Sequence, residues 1–358
     1  MSAARGAGAA RWVWHSRSPP ARLARLLLLP LSAGYRLMVL ARNLAYDVGL
    51  LRSAPLPRPS IGVGNLAVGG TGKSPLSAWL ARELKRRGIT AGIVLRGYGA
   101  DEVAEHKVLN PDAAVEADPD RHAAAARAVS RGAGALVLDD SLQRRSARTD
   151  VTLAVVSADT WTAYRWSLPA GPWREGLGAL RRADAVVVTR KAASLDAADR
   201  LRRSLAERTR GQAGVTVAIE PASLARLADG APADLAMLAG RSVLAVCGIG
   251  EPQLFAEQLR RLGARVELVP FGDHHGYTAQ DAASLAVRAA GRWVIVTLKD
   301  AVKLRSLWPA DGPPCWALQV GVRIESGAEA LEGLLDRVAT AARTTNTEVA
   351  AASPARES

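Results

Sequence analysis

Gly62-Val63-Gly64-Asn65-Leu66-Ala67-Val68-Gly69-Gly70-Thr71-Gly72-Lys73-Ser74-Pro75 is the stretch whose reading decides the fold. Ile61 and Val63 alternate as in a strand, and Leu76, Trp79, Leu80 and Leu84 are spaced for one buried face of a helix. Strand, Gly-rich loop and helix in that order form a phosphate-binding P-loop. Gly69, Gly70 and Gly72, with Thr71 among them, let successive N–H groups turn inward on an anion, and the helix start adds positive character. Lys73 is then placed for the β/γ-phosphates and the Ser74 hydroxyl for Mg²⁺, so a nucleoside triphosphate is the expected guest. The strict pattern is broken only at Ala67, where the first Gly would stand. Val68 stands where variant-type transport and partitioning ATPases carry a signature Lys, and Thr297-Leu298-Lys299-Asp300 has the wrong spacing for a guanine-reading Asn-Lys-x-Asp.

Outward from this loop, short apolar runs at 60–64, 91–95, 135–139, 153–157, 185–189 and 215–219 read as strands, with helices between them such as 74–87 and 121–130. That alternation predicts an α/β fold, a P-loop NTPase-like, mostly parallel sheet with helices on both faces and ligands at the strand carboxyl ends. The polar stretch 229–234 marks a boundary. A second series follows, with strands at 242–247, 266–270, 294–298 and 317–322 and helices at 251–262, 278–290 and 328–342. The expected domains are a disordered start and membrane-associated helix over 1–55, a P-loop domain over 56–234, a smaller α/β domain over 235–343 and a disordered tail over 344–358.

Residues 21–51 form a mostly apolar run, interrupted by Pro30 and carrying Arg22, Arg25, Arg36 and Arg42. This suits a helix lying in, or barely crossing, an anionic leaflet; a buried core helix is the competing reading. Arg5 and Arg11 give a signal-like start, but no small-residue cleavage site follows, so the segment is read as a retained anchor. With 47 basic and 34 acidic residues among 358, the formal charge of +13 favours anionic partners. Aromatic residues are only 4%, and no RNA-binding or zinc-finger pattern is present, so nucleic acid is not the expected partner. Cys247 and Cys315 sit in apolar stretches without metal-ligand spacing and read as buried thiols of a reducing compartment.

Several clusters carry candidate chemistry. The run 135–138 ends in Asp139-Asp140, and a carboxylate at a strand end beside a P-loop is the usual Mg²⁺ partner of the loop hydroxyl. Asp273-His274-His275 reads equally as a general base, a metal site or a solvated loop. Asp101-Glu102, after Arg96-Gly97-Tyr98-Gly99, lies at the correct sheet edge but is as readily a surface loop. Leu168-Pro169-Ala170-Gly171-Pro172-Trp173-Arg174-Glu175 is a rigid loop whose Arg174 can present a fork to phosphate.

Taken in order, GVGNLAVGGTGKSP, LRGYGADE, LNPDAAVEADPDR, LVLDDSLQRR, LPAGPWRE, ADAVVVTRK, AVCGIGEPQLF, PFGDHHGY and VTLKDAVKL resemble one family, the lipid A 4′-kinases or tetraacyldisaccharide 4′-kinases. The resemblance spans about 60–304. It implies a monomeric kinase on the cytoplasmic face of the inner membrane, using ATP and Mg²⁺ to phosphorylate the 4′-hydroxyl of an acylated glucosamine disaccharide 1-phosphate. By position it implies a catalytic dyad of Asp101 and His274 acting with Lys73, nucleotide held by Gly69, Gly70, Thr71, Gly72, Lys73 and Ser74, and metal held by Ser74, Asp139 and Asp140. Arg121 and Arg174 are candidates for the phosphates of the substrate or the nucleotide, and Gln143 for the substrate. The chain departs from the family pattern at Ser141 (for Gly), Arg144 (for His), Ser74 (for Thr) and Leu298 (for Glu). A membrane-associated P-loop ATPase with a transport or assembly role is the alternative function.

Overall fold

The computed structural model describes residues 9–10, 12–97, 99–161 and 166–352. Arg5, Arg11, Tyr98 and the end of the tail from 353 lie outside the described residues. Eleven strands follow one another across one sheet, with a short twelfth, Pro232–Ala233, paired off its path. From one edge the order is Arg265–Pro270, Ser242–Cys247, Trp293–Thr297, Cys315–Ser326 and Ala213–Arg226. It continues through Ala185–Arg190, Val151–Ser157, Ser60–Asn65, Ala135–Asp139, Ala91–Leu95 and Ala114–Ala117.

Every neighbouring pair on this path is parallel except Ala213–Arg226 with Cys315–Ser326. Two parallel blocks therefore run in opposite directions, joined by one long antiparallel ribbon. Their register brings their ends together. The first block pairs with residues 213–218 of the ribbon through Ala185–Arg190. The second pairs with 315–318, which lie opposite 224–226. Each block points its carboxyl ends at the middle of the ribbon, near Ile219 and Val320, where the ladder is irregular between Gln319 and Val320. Ligands bind beyond strand carboxyl ends in such sheets, and here two sets of ends share one space.

Apolar side chains explain the layers. Strand residues Ile61, Val63, Ile93 and Val137 pack with Leu76, Leu80 and Leu84 of the helix Lys73–Arg86. Leu331, Leu335, Val338 and Ala342 of the last helix, Ala328–Ala352, complete this same cluster. That helix was assigned by sequence to the second domain but lies against the first, and it continues to Ala352 where an irregular tail was expected from 344. Proximity along the chain does not decide which exposed apolar sheet face a helix covers.

The helix Pro19–Asp47 runs unbroken through Pro30, which the sequence reading took as an interruption. It is long and apolar enough to cross a membrane by length and composition. Leu23, Leu26, Leu27, Leu31, Leu37, Met38, Leu40 and Leu44 are exposed along it, so it is not a buried core helix. Several of its polar contacts fall on the loop 166–175, and Arg145 meets the Asn43 carbonyl and Asp47 near its end. Ser32 Oγ donates to the Ser167 carbonyl and accepts from Ala170 N–H, both at 3.0 Å. Arg42 and Asn43 reach the buried Glu175 carboxylate at 3.1 and 3.0 Å, and Arg182 joins it at 2.6 Å.

Candidate active site

The P-loop begins where the strand Ser60–Asn65 ends. Asn65 Nδ2 donates to the Ala67 carbonyl and to Thr71 Oγ1, closing the loop on itself. Gly72, at φ +83°, is the residue before the helix, a left-handed position that a side chain would strain. Leu66 and Val68 are tied to the loop 166–175, through Arg174 N–H to the Leu66 carbonyl and Val68 N–H to the Pro172 carbonyl, both at 2.8 Å.

A cavity of about 830 Å³ opens over this loop and is lined from both halves of the sheet. Lys73 lies within it, 3.9 Å from Asp140, and burial lowers its pKa despite the Asp140 and Asp139 charges. Arg174 Nη1 donates to Asp140 Oδ1 at 2.7 Å. Asp140 takes the left-handed φ of +58°, while Ser141 is not among the positive-φ residues, so the Gly-to-Ser departure carries no backbone strain. Asp139 is buried, and its Oδ1 has no hydrogen-bond partner among the described residues. Burial pushes its pKa up, but the His106 imidazole, 3.6 Å away, and the Lys73 charge pull it down to about 2. Among the described residues, no group of three or more His, Cys, Asp or Glu is gathered to hold a metal.

Asp101 and His274 come from opposite halves and meet at 3.0 Å, His274 Nδ1 to Asp101 Oδ2. Asp101 is not in a loop, as the sequence suggested, but in the first turn of the helix Ala100–Leu109. The hydrogen bond from His274 outweighs burial, and with Lys303 Nζ at 2.9 Å it holds the carboxyl well below the usual carboxylate range. The same bond raises the His274 pKa against partial burial. His274 has a left-handed φ of +55° and donates its backbone N–H to the Gly248 carbonyl. Asp300, fully buried, fixes this corner by accepting from Gly248 N–H and the Tyr277 hydroxyl at 3.1 Å each. His275 also borders the cavity, but its ring packs on Phe271 and edge-on to Tyr277, with its Nε2 3.4 Å from Asp281.

The other expected site residues divide. Gly69, Gly70, Thr71, Gly72, Ser74 and Arg174 line the cavity. Arg121 and Gln143 do not. Arg121 is buried at 2% exposure, donating to the Asp139 carbonyl at 2.7 Å, and burial lowers its pKa to about 10. Gln143 donates to the Asn65 carbonyl at 2.8 Å. Both brace the ends of the strands that carry the site. Asp140 likewise spends its nearer oxygen on Arg174 rather than presenting it freely to a metal. Sequence reasoning gave no role to Glu105, His106, Lys191, Glu251, Lys299 or Lys303. Lys191, for example, bridges the Gly70 carbonyl and Glu251 of the second half at 2.8 Å each. A lysine just past a strand's carboxyl end was the available signal for Lys191 and Lys299.

Comparison with known proteins bears on this arrangement. The model of the family described as tetraacyldisaccharide-1-P 4′-kinase matches residues 24–340. A tetraacyldisaccharide 4′-kinase from Aromatoleum aromaticum is 36% identical over 88% of this chain and 93% of its own length. One from an Azoarcus species is 37% identical over 94% of this chain and 98% of its own. The crystal structure of LpxK from Aquifex aeolicus in complex with ATP superposes with a TM-score of 0.68 at 27% identity, covering 88% of this chain and 99% of that one. The family model runs through both halves of the sheet, P-loop and His274 loop alike, and the chain belongs to the tetraacyldisaccharide-1-P 4′-kinase family.

Proposed function

We propose that this protein transfers the γ-phosphate of ATP to the 4′-hydroxyl of a tetraacylated glucosamine disaccharide 1-phosphate, a step in making the lipid A anchor of lipopolysaccharide. Family membership carries the reaction. One observation supports the site reading above all: a histidine and a carboxylate from different halves are paired on a cavity shared with a P-loop.

The P-loop amides and Lys73 hold the β/γ-phosphates. Asp101 accepts the Nδ1–H of His274, which leaves Nε2 as the proton acceptor and steadies the imidazolium that forms. Nε2 takes the proton of the 4′-hydroxyl as its oxygen bonds to the γ-phosphorus. The bond from that phosphorus to the β,γ-bridging oxygen breaks, and its electron pair leaves on ADP. Arg174 and Asp140 keep Lys73 aligned from the side.

Ser74 and Asp139 are the residues that would hold Mg²⁺: the Asp139 Oδ1 is a buried acceptor without a partner among the described residues, and hard oxygen donors suit this ion. When bound, the ion neutralises phosphate charge. So few protein ligands fit an ion that takes most of its shell from phosphate and water. The helix Pro19–Asp47 rests in the cytoplasmic leaflet of the inner membrane, its exposed leucines in the acyl region and the basic surplus toward anionic headgroups. The protein acts as a monomer whose two units, 56–234 with the returning last helix and the α/β unit beyond 235, close on the lipid. The ATPase alternative is not favoured, because water needs no base delivered across the cavity by a second half.

The test is transfer from ATP·Mg²⁺ to a tetraacylated disaccharide 1-phosphate in detergent, with Lys73→Ala and His274→Ala beside the wild type. Phosphorylated lipid from the wild type alone is the expected result. ATP turnover that ignores the lipid and survives His274→Ala would sink this mechanism.

A further inference from the structure

Two ammonium groups face the cavity from opposite halves with no hydrogen bond among the described residues. Lys73 comes no nearer than 3.9 Å to Asp140, and Lys299 stands 3.7 Å from Glu105 Oε2. The other two cavity lysines are engaged, Lys191 with the Gly70 carbonyl and Glu251, and Lys303 with Asp101. An ammonium carries three donors, and in a half-buried cleft these two have no protein acceptor within hydrogen-bond distance among the described residues. A cavity holding two such groups is completed by what enters it, and what completes ammonium groups is an anion.

Lys299 is held firmly for such a task. It follows Thr297, whose hydroxyl accepts from Asp300 N–H to begin the short helix Leu298–Leu304, and its neighbours Leu298 and Asp300 are buried. Asp300 in turn anchors Gly248 and Tyr277. Burial works against its charge, but Glu105, Glu102, Asp139 and Asp101 surround it and raise its pKa, so it stays charged. Lys299 lines the same cavity as Asp139 beside the P-loop and Asp101 of the dyad, and its neighbour Glu105 lies on the helix that carries Asp101. A phosphoryl group leaving ADP for an oxygen activated by His274 crosses that cavity.

We propose that Lys299 is a catalytic residue, an ammonium delivered by the second half onto the transferring phosphoryl group while Lys73 holds it from the first. This rests on the kinase reading. As the acceptor oxygen bonds to phosphorus and the bond to the ADP oxygen breaks, the proton passes to His274 and the electron pair to ADP. The charge spread over the three equatorial oxygens then meets a cation on each side.

The experiment measures kcat, KM and nucleotide affinity for Lys299→Met, Lys299→Arg and the double variant Lys299→Met/Glu105→Gln, with the wild type assayed in parallel. Lys299→Met is expected to lower kcat about 10²–10³-fold, the range for removing one preorganised donor, with ATP affinity changed by less than about threefold. Lys299→Arg keeps the charge and recovers about tenfold of that loss or more. The double variant removes the buried carboxylate that Met would strand, so it folds even if Lys299→Met does not, and the loss of kcat persists in it. Transfer restored in the double variant would show that Lys299 serves only its ion pair, and transfer by Lys299→Met within about threefold of wild type would exclude the role outright. A wild type that binds ATP but phosphorylates no lipid would overturn the kinase reading and this proposal with it, a result distinct from either.

Discussion

The two sides of the cavity are built differently. On the P-loop side the groups are tied to one another within the first half: Asn65 to Thr71, Arg174 to Asp140, Arg121 to the Asp139 carbonyl, with Asp139 buried. On the opposite side, the His274 ring is 53% exposed and rides on a left-handed backbone position, and the carboxylate that orients it belongs to the other half. One side is complete as a scaffold before anything binds, with the Lys73 ammonium and Asp139 Oδ1 still awaiting partners. The other depends on the halves keeping their distance, so nucleotide binding and phosphoryl transfer should come apart under mutation.

Lys73→Ala attacks the complete side and should show the largest effect, about 10³-fold or more in transfer with nucleotide affinity lost in parallel, read by radiolabel transfer and calorimetry. His274→Ala attacks the delivered side. It should lower kcat about 10²–10³-fold while ATP affinity stays within about threefold; a matching loss of affinity would erase the distinction between the sides. Glu175→Ala leaves Arg42, Asn43 and Arg182 without their shared buried acceptor and should cost about 2 kcal/mol in thermal unfolding, with kcat in detergent reduced far less than by His274→Ala.

Smaller still is the pH effect. The hydrogen bond to Asp101 raises the His274 pKa above its ordinary 6.5, and a base must be unprotonated to act. The acidic limb of kcat/KM against pH should therefore lie above that value and move down in Asp101→Asn. Stability runs the other way: a raised folded-state pKa makes the pair's contribution full below the ordinary histidine value and lost as pH rises through the raised one. His275→Ala should change kcat by less than about threefold, because its ring is packed on Phe271 and Tyr277.

The same contrast explains what the sequence made legible. The P-loop side is local: strand, glycines, Lys73 and Ser74 lie within fifteen residues, so residue type and spacing suffice to read them. The dyad joins positions 101 and 274, and only the family resemblance paired them. Depth was not legible. Arg121 looks like a phosphate ligand and Gln143 like a substrate contact in a string of letters, yet one lies beneath a strand end and the other against Asn65. The helix Ala100–Leu109 was missed because it starts after Gly99 without a side-chain cap and shows little apolar periodicity. The antiparallel ribbon was visible only as two short strands, since its outer residues, at 220–226 and 323–326, carry polar groups that read as turns.

The helix Ala328–Ala352 has a consequence for biosynthesis. Its Leu331, Leu335, Val338 and Ala342 fill the cluster that Ile61, Leu76 and Leu80 begin, so an earlier part of the nascent chain waits for a later one. While the ribosome makes the intervening residues, the P-loop unit has an open apolar flank and an exposed apolar helix, both of which invite a chaperone. Catalytic competence arrives only once the helix Ala328–Ala352 has emerged and docked.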